Sequence, residues 1–310
     1  MVQKMTVIEE IKKYKQEKNA VVLAHYYVDE DVQKIADHIG DSYYLSKVAA
    51  RTDADLIVFC GVRFMGESAK ILNPDKKVLM PDAYADCAMA HMIKRDQIQK
   101  MRDTYEDLAV VCYINSTAET KTYSDVCVTS ANAVKIVRSL PEKNIFFIPD
   151  GNLGRYVAEQ VSEKNIILNS GYCPVHEKIT LEAVKRSKKQ YPKAEFLVHP
   201  ECRMEIINEA DYVGSTTEII QYAKISPSEA FIIGTEMGVF YELQKNNPDK
   251  KFYPVKNEQI CPDMKMITLD KVLSVLISEN NEVIVSGELR KQAIKPLEKM
   301  LELSELCMIH

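Results

Sequence analysis

The 310-residue chain has no basic block: 40 Lys+Arg stand against 45 Asp+Glu, a formal net charge of -5. That balance excludes the electrostatic footprint of a general nucleic-acid binder, although local charge still permits a small or anionic metabolite. No apolar run approaches the ~20 residues that a membrane-spanning helix needs. Residues 1–18 carry Lys and Glu where a signal peptide would be apolar, so a cytoplasmic, reducing location is expected. The eight cysteines contain no Cys-x-x-Cys pair, and a disulfide framework is not expected in such a compartment. Dinucleotide, P-loop and kinase fingerprints are missing, as is any Gly/Ser-rich or Pro-rich linker. What is present is ordinary globular composition, 46% hydrophobic and 27% charged. At about 150 residues per domain, the length implies about two domains or one composite fold.

An internal repeat organises the chain. Val21-Val22-Leu23-Ala24-His25, Val110-Val111-Cys112-Tyr113 and Phe196-Leu197-Val198-His199 are apolar runs ending in a ring, at intervals of 88 and 86 residues. A hydroxyl at an expected helix start follows each, Ser42, Ser130 and Ser215, at intervals of 88 and 85. Met65-Gly66, Leu153-Gly154 and Met237-Gly238 keep the period at 88 and 84, each glycine expected just before a helix. Asn-Pro-Asp-Lys-Lys occurs at Asn73 and again at Asn247, with a cysteine 14 residues on in both cases. Those cysteines, Cys87 and Cys261, bracket Cys173 at intervals of 86 and 88.

Each unit reads strand, loop, helix, strand, loop, helix, strand, cysteine loop. Continuous Val/Ile/Phe runs mark buried parallel strands, so the expected fold is α/β with a parallel layer in each of three repeats, and packing of the units around a pseudo-threefold axis with the strand ends inward would give one central pocket. The divisions are 1–100 with the N-terminal helix, 101–188, and 189–310 with a helical tail. Helices are expected over 154–164 and 215–224. The tail reads as a helix from Thr268, a strand over 282–286 and a helix over 288–306, packed back on the first unit. Ligands of parallel sheets bind beyond the carboxyl ends of the strands, where all the repeated rings, serines and cysteines fall.

Three cysteines in one repeat position suit an iron-sulfur cluster or a soft metal, since disulfide pairing leaves one over. With three ligands, one iron of a cubane keeps an open coordination position and serves as a Lewis acid. Zinc on Cys173-Pro-Val-His176 is the competing reading. Cys60 and Cys112, inside strand runs, read as small core residues, and Cys202 as structural; Cys127 and Cys307 have no symmetric partners. His25 and His199 end equivalent strands, and an extended backbone would turn Glu201 and Asn115 to the same side as His199 and Tyr113. The imidazoles, Glu201 and the Tyr27 and Tyr113 phenols can transfer protons, whereas Asn115 can only orient or bind. Ser42, Ser130 and Ser215, as helix caps or as anion binders at helix starts, point to a guest with several negative groups.

These residues also carry a family resemblance across nearly the whole chain. Leu23-Ala24-His25-Tyr26-Tyr27, Gly40-Asp41-Ser42, Asn115-Ser116-Thr117, Thr129-Ser130-Ala131-Asn132, Pro149-Asp150 with Asn152-Leu153-Gly154, Cys173-Pro174-Val175-His176, His199-Pro200-Glu201-Cys202 and Gly214-Ser215-Thr216 together resemble the quinolinate synthases, iron-sulfur enzymes of NAD biosynthesis. The resemblance implies three homologous αβα sandwich domains around a pseudo-threefold axis with a central active site, and a 4Fe-4S cluster there on Cys87, Cys173 and Cys261. It implies condensation of iminoaspartate with dihydroxyacetone phosphate to quinolinate, phosphate and water. His25, Ser42, Tyr113, Asn115, Ser130, His199, Glu201 and Thr216 would contact substrate beside Ser215, and Tyr27, Tyr113, His199 and Glu201 are the acid/base candidates. No role falls on Tyr26. The implied metabolic partner is L-aspartate oxidase or aspartate dehydrogenase. Other readings are an iron-sulfur hydro-lyase on another small di-acid and an iron- or oxygen-sensing cluster protein.

Overall fold

The computed structural model describes residues 5–306. Contacts divide them into two compact units, one of residues 5–87 with Cys261–Arg290, the other of Ala88–Ile260 with 291–306. The first holds one sheet, β1 (Ala20–His25), β2 (His38–Gly40), β3 (Leu56–Cys60) and β4 (Lys77–Leu79), in the order β2-β1-β3-β4. The second holds two. One comprises β5 (Leu108–Tyr113), β6 (Val126–Val128), β7 (Asn144–Ile148) and β8 (Asn165–Leu168), ordered β6-β5-β7-β8. The other comprises β9 (Glu195–Val198), β10 (Tyr212–Val213), β11 (Ala230–Gly234) and β12 (Lys251–Pro254), ordered β10-β9-β11-β12. Every pairing is parallel. The fold is α/β, and the same topology recurs three times among the described residues. Each sheet has four strands where three were expected, because β2, β6 and β10 are edge strands of two or three residues, too short to show as apolar runs.

The repeat has a mechanical basis. Immediately before each short edge strand stands an aspartate, Asp37, Asp125 or Asp211. Its carboxylate accepts the N–H of Val22, Val110 or Phe196 on the neighbouring strand, at 2.8, 2.7 and 2.7 Å. The same aspartates give their backbone N–H to the carbonyls of those three residues, each at 2.9 Å. Two bonds thus pin the start of each edge strand. The repeated Asn-Pro-Asp-Lys-Lys is scaffold of the same kind. Asn73 and Asn247 cap helix ends through the Ala69 and Leu243 carbonyls at 3.0 Å, and Lys76 and Lys250 reach carbonyls at the end of the preceding helix.

Two of the three repeated glycines lie inside helices and not ahead of them. Gly66 is in the helix Arg63–Leu72 and Gly154 in Gly151–Gln160, while Gly238 sits in the 3-10 turn Met237–Val239. A Cβ on Gly154 would come within 2.9 Å of Leu168 and 3.0 Å of Phe147, so glycine there permits close helix-to-sheet approach. The helix expected over 154–164 starts at Gly151, because Asp150 Oδ1 accepts the N–H groups of Asn152 and Leu153 at 2.8 and 3.2 Å. The helix expected over 215–224 runs Thr216–Ile225 with Ser215 as its cap.

In the tail, Thr268 caps the helix Leu269–Ser278, and a second helix spans Gly287–Leu306. No strand forms over 282–286; a single antiparallel bridge joins Leu79 and Glu282. The segment nevertheless packs on the first sheet, with Val283 N–H on the Val78 carbonyl at 2.8 Å and Met80 N–H on the Asn281 carbonyl at 3.2 Å. No helix among the described residues is long and apolar enough to cross a membrane.

Candidate active site

In the second unit, strand ends and turns bring together Tyr113, Ser130, Cys173, His176, His199 and Glu201. Tyr113 is the last residue of β5, and its hydroxyl donates to Glu201 Oε1 at 2.7 Å. His199 follows β9 directly. The expected extended course of 199–201 is instead a turn closed by Cys202 N–H on the His199 carbonyl at 3.0 Å, with Pro200 fixing its first corner. The turn folds Glu201 back, so that its N–H donates to His199 Nδ1 at 3.3 Å. That bond leaves the proton on Nε2, which stands 3.2 Å from Ser130 Oγ. In the first unit, His25 at the end of β1 is held the same way, its Nδ1 accepting the Tyr27 N–H at 3.2 Å. Two equivalent strand ends therefore present the same tautomer, Nε2–H outward.

His176, noted in the sequence only as a zinc ligand, completes the cluster. Cys173 caps the short helix Pro174–Glu177, and three residues on the imidazole returns over the thiol. His176 Nδ1 lies 2.8 Å from Glu201 Oε2 and 3.1 Å from Cys173 Sγ, and Nε2 lies 2.9 Å from Thr235 Oγ1. Its ring stacks on His199 at 4.9 Å. Glu201 thus holds Tyr113 on one oxygen and His176 on the other. The Pro-Val spacer gives the i, i+3 signal that marks His176; Thr235 carries none, since its partner His176 lies far along the chain.

Burial alone would raise the Glu201 carboxyl, but the His176 and His199 imidazoles and the Tyr113 hydroxyl outweigh it and hold the group below the ordinary carboxylate range. Burial lowers the His199 imidazole to about 3, against the pull of Glu201. The cluster therefore holds an ionised carboxylate beside a neutral imidazole. Asp150 behaves oppositely. Fully buried, with the Glu201 charge adding to the effect, its carboxyl is raised far above its usual range.

The other expected positions are placed as follows. Asn115 has a buried Oδ1 with no hydrogen-bond partner among the described residues, an acceptor available to a guest. Thr216 opens its ten-residue helix, and Ser215 is occupied as the cap, its Oγ accepting the Glu218 N–H at 3.3 Å. Ser42 is the first residue of Ser42–Arg51, the cap being Asp41. Ser130 lies in the turn before Asn132, the cap of Ala133–Ser139.

The cysteines divide cleanly. Cys60, Cys112, Cys127 and Cys202 are buried, whereas Cys87, Cys173 and Cys261, the repeat-related three, are partly exposed on loops. Cys307 lies outside the described residues. In the first unit the loops of Cys87 and Cys261 meet, Asp86 N–H donating to Asp263 Oδ1 at 3.3 Å. None of the seven is in a disulfide, and a thiol donor set of this kind fits iron-sulfur or soft-metal binding. Cys173, His176 and Glu201 also offer donor atoms within 4.8 Å of one another, a group able to hold a metal ion.

The family described as quinolinate synthetase A protein matches residues 9–302. The chain belongs to that family. A quinolinate synthase of Fusobacterium nucleatum is 54% identical over 296 residues, covering 96% of this chain and 99% of the relative. One of Clostridioides difficile is 50% identical over 96% of this chain and 97% of its own length. One of Aquifex aeolicus is 46% identical, with 96% and 94% covered. The family thus spans both units, and the Tyr113, Glu201, His176 and His199 cluster lies within the matched region.

Proposed function

We propose that the chain is a quinolinate synthase of NAD biosynthesis, an enzyme condensing iminoaspartate with dihydroxyacetone phosphate. The products are quinolinate, phosphate and two waters, so atoms balance without an oxidant or reductant. The observation that carries this reading is the buried Glu201 carboxylate shared between Tyr113 and His176, in a chain related over its length to quinolinate synthases. Cys87, Cys173 and Cys261 would hold a 4Fe-4S cluster, whose iron without a protein ligand supplies Lewis-acid chemistry at a substrate oxygen. His176 and Glu201 are read here as partners in a hydrogen-bond network, because each already engages the other and a second protein group.

Tyr113 and Glu201 act as one proton-transfer pair. The phenol gives or takes a proton at the substrate, and the carboxylate 2.7 Å behind it balances the change. His176 holds the second carboxylate oxygen and so fixes its orientation. His25 and His199, locked with Nε2–H outward, donate to substrate oxygens, and Ser42, Ser130, Ser215 and Thr216 bind anionic groups at turns and helix starts. Asn115 Oδ1 accepts a substrate N–H or O–H. Tyr27, its N–H fixed on His25, is a further proton donor. The three-repeat division at 1–100, 101–188 and 189–310, a cytoplasmic location and an iminoaspartate source in L-aspartate oxidase or aspartate dehydrogenase belong to the same reading. Protein purified without oxygen and given both substrates is expected to form quinolinate and phosphate in equal amounts. Turnover of neither substrate would overturn the proposal.

A further inference from the structure

A second cluster lies behind Tyr113, on the preceding residue of β5. Cys112 and Cys127 are directly paired across β5 and β6. Neighbouring strands stand about 4.8 Å apart and paired parallel residues share a face, a separation inside the ~4.4–6.8 Å that disulfides span between Cα atoms. Cys112 Sγ is 2.9 Å from Ser116 Oγ. Lys121, wholly buried, sets Nζ 3.0 Å from the Ile114 carbonyl, 2.5 Å from the Ser116 carbonyl and 3.3 Å from Ser116 Oγ. Two thiols, a hydroxyl and a lysine thus share one interior site, next to the backbone that carries Tyr113 and Asn115.

The two thiols are unequal. Burial raises Cys112, but a hydrogen bond from Cys127, the charge of Lys121 and the Ser116 hydroxyl bring it down to about 7. Burial and the neighbouring Cys112 push Cys127 well up. Cys60 and Cys202, just as buried, are both raised, chiefly by burial. A thiolate next to a retained thiol is the arrangement that peroxide oxidation needs.

We propose that Cys112 and Cys127 form a peroxide-oxidisable dithiol, Cys112 attacking and Cys127 resolving, built into the sheet behind Tyr113. The oxidant is hydrogen peroxide, small enough to enter when the three-residue edge strand β6 opens. Cys112 sulfur bonds to one peroxide oxygen, the O–O bond breaks, and the departing hydroxide takes a proton to become water. Cys127 sulfur then displaces the second oxygen as water, forming the disulfide. Two thiols lose two electrons and two protons, and one peroxide becomes two waters. The bond removes the Cys112 contact with Ser116, whose carbonyl anchors Lys121 beside Asn115, so oxidation disturbs the binding loop reversibly.

Peptide mapping of the intact protein after graded hydrogen peroxide tests this, with thiols alkylated before digestion. Trypsin cuts after Arg102, Lys121 and Lys135, leaving Cys112 and Cys127 alone in separate peptides. The expected product is the linked pair, lighter than the two thiol peptides by two hydrogens. It should form about tenfold or more faster than any change at Cys60 or Cys202, and dithiothreitol should reverse it. In Cys127→Ser a dimedone adduct on Cys112 should replace the link. Both thiols remaining fully alkylatable, or oxidising no faster than Cys60 and Cys202, would overturn the proposal.

Discussion

Replacing Tyr113 by Phe removes one oxygen and keeps the ring, which is only 4% exposed. The lost contact is the 2.7 Å bond to an ionised carboxylate, worth about 1.5–3 kcal/mol in a buried setting. Glu201 keeps its bond from His176 at 2.8 Å, so the carboxylate is not orphaned and the stability loss should fall near the lower end, about 1.5 kcal/mol. Turnover should fall much further. A group that moves a proton in the rate-limiting step contributes about 10²–10⁴-fold, equivalent to about 2.7–5.4 kcal/mol. The assays are anaerobic quinolinate formation, urea unfolding, and iron and sulfide content on the same preparation. Turnover loss that exceeds the stability loss, with iron retained, marks Tyr113 as a proton-transfer residue. A variant within about threefold of the parent rate would refute that role, and iron lost in step with activity would make the residue structural.

Cys173→Ala should lose iron, sulfide and turnover together; retention of all three would remove Cys173 from the ligand set. Gly151→Ala places a Cβ 2.2 Å from the Asn169 carbonyl oxygen, which backbone cannot yield, so a loss of about 3 kcal/mol or more is expected in urea unfolding. An unchanged midpoint would show that the Asn169 backbone moves freely. Glu279 bonds Lys18 and Lys77, which hold its carboxyl down to about 2. A carboxyl with a depressed folded value stabilises above its unfolded value, about 4.3, and loses that contribution as pH falls toward about 2. Because Glu279 is partly exposed, the amount is below about 1 kcal/mol. The stability gap between parent and Glu279→Gln should therefore close on acidification from pH ~5 to ~2; a gap that ignores pH would contradict the pairing.

The central strands were legible because strands covered on both faces are written as unbroken apolar runs, as in Leu56–Cys60 and Asn144–Ile148. Period alone located His25, Tyr113, His199 and the three loop cysteines. It did not reveal β2, β6 and β10, whose pairing depends on an aspartate carboxylate and not on hydrophobicity. Gly66 and Gly154 looked like loop closers because glycine usually breaks helices, whereas here the missing side chain serves close packing. Glu201 was placed beside His199 by an extended backbone that proved to be a turn, and the turn is what brings His176 and Tyr113 to the same carboxylate. Buried Lys121 had no sequence signal, since its partners are backbone carbonyls.

Iron and acid-labile sulfide content, with the visible spectrum, of protein purified without oxygen is the most direct measurement of the proposed centre. About four irons and four sulfides per chain are expected, with a broad visible absorption that vanishes in Cys173→Ala. Stoichiometric zinc, or full quinolinate formation by protein free of iron and sulfide, would contradict that centre.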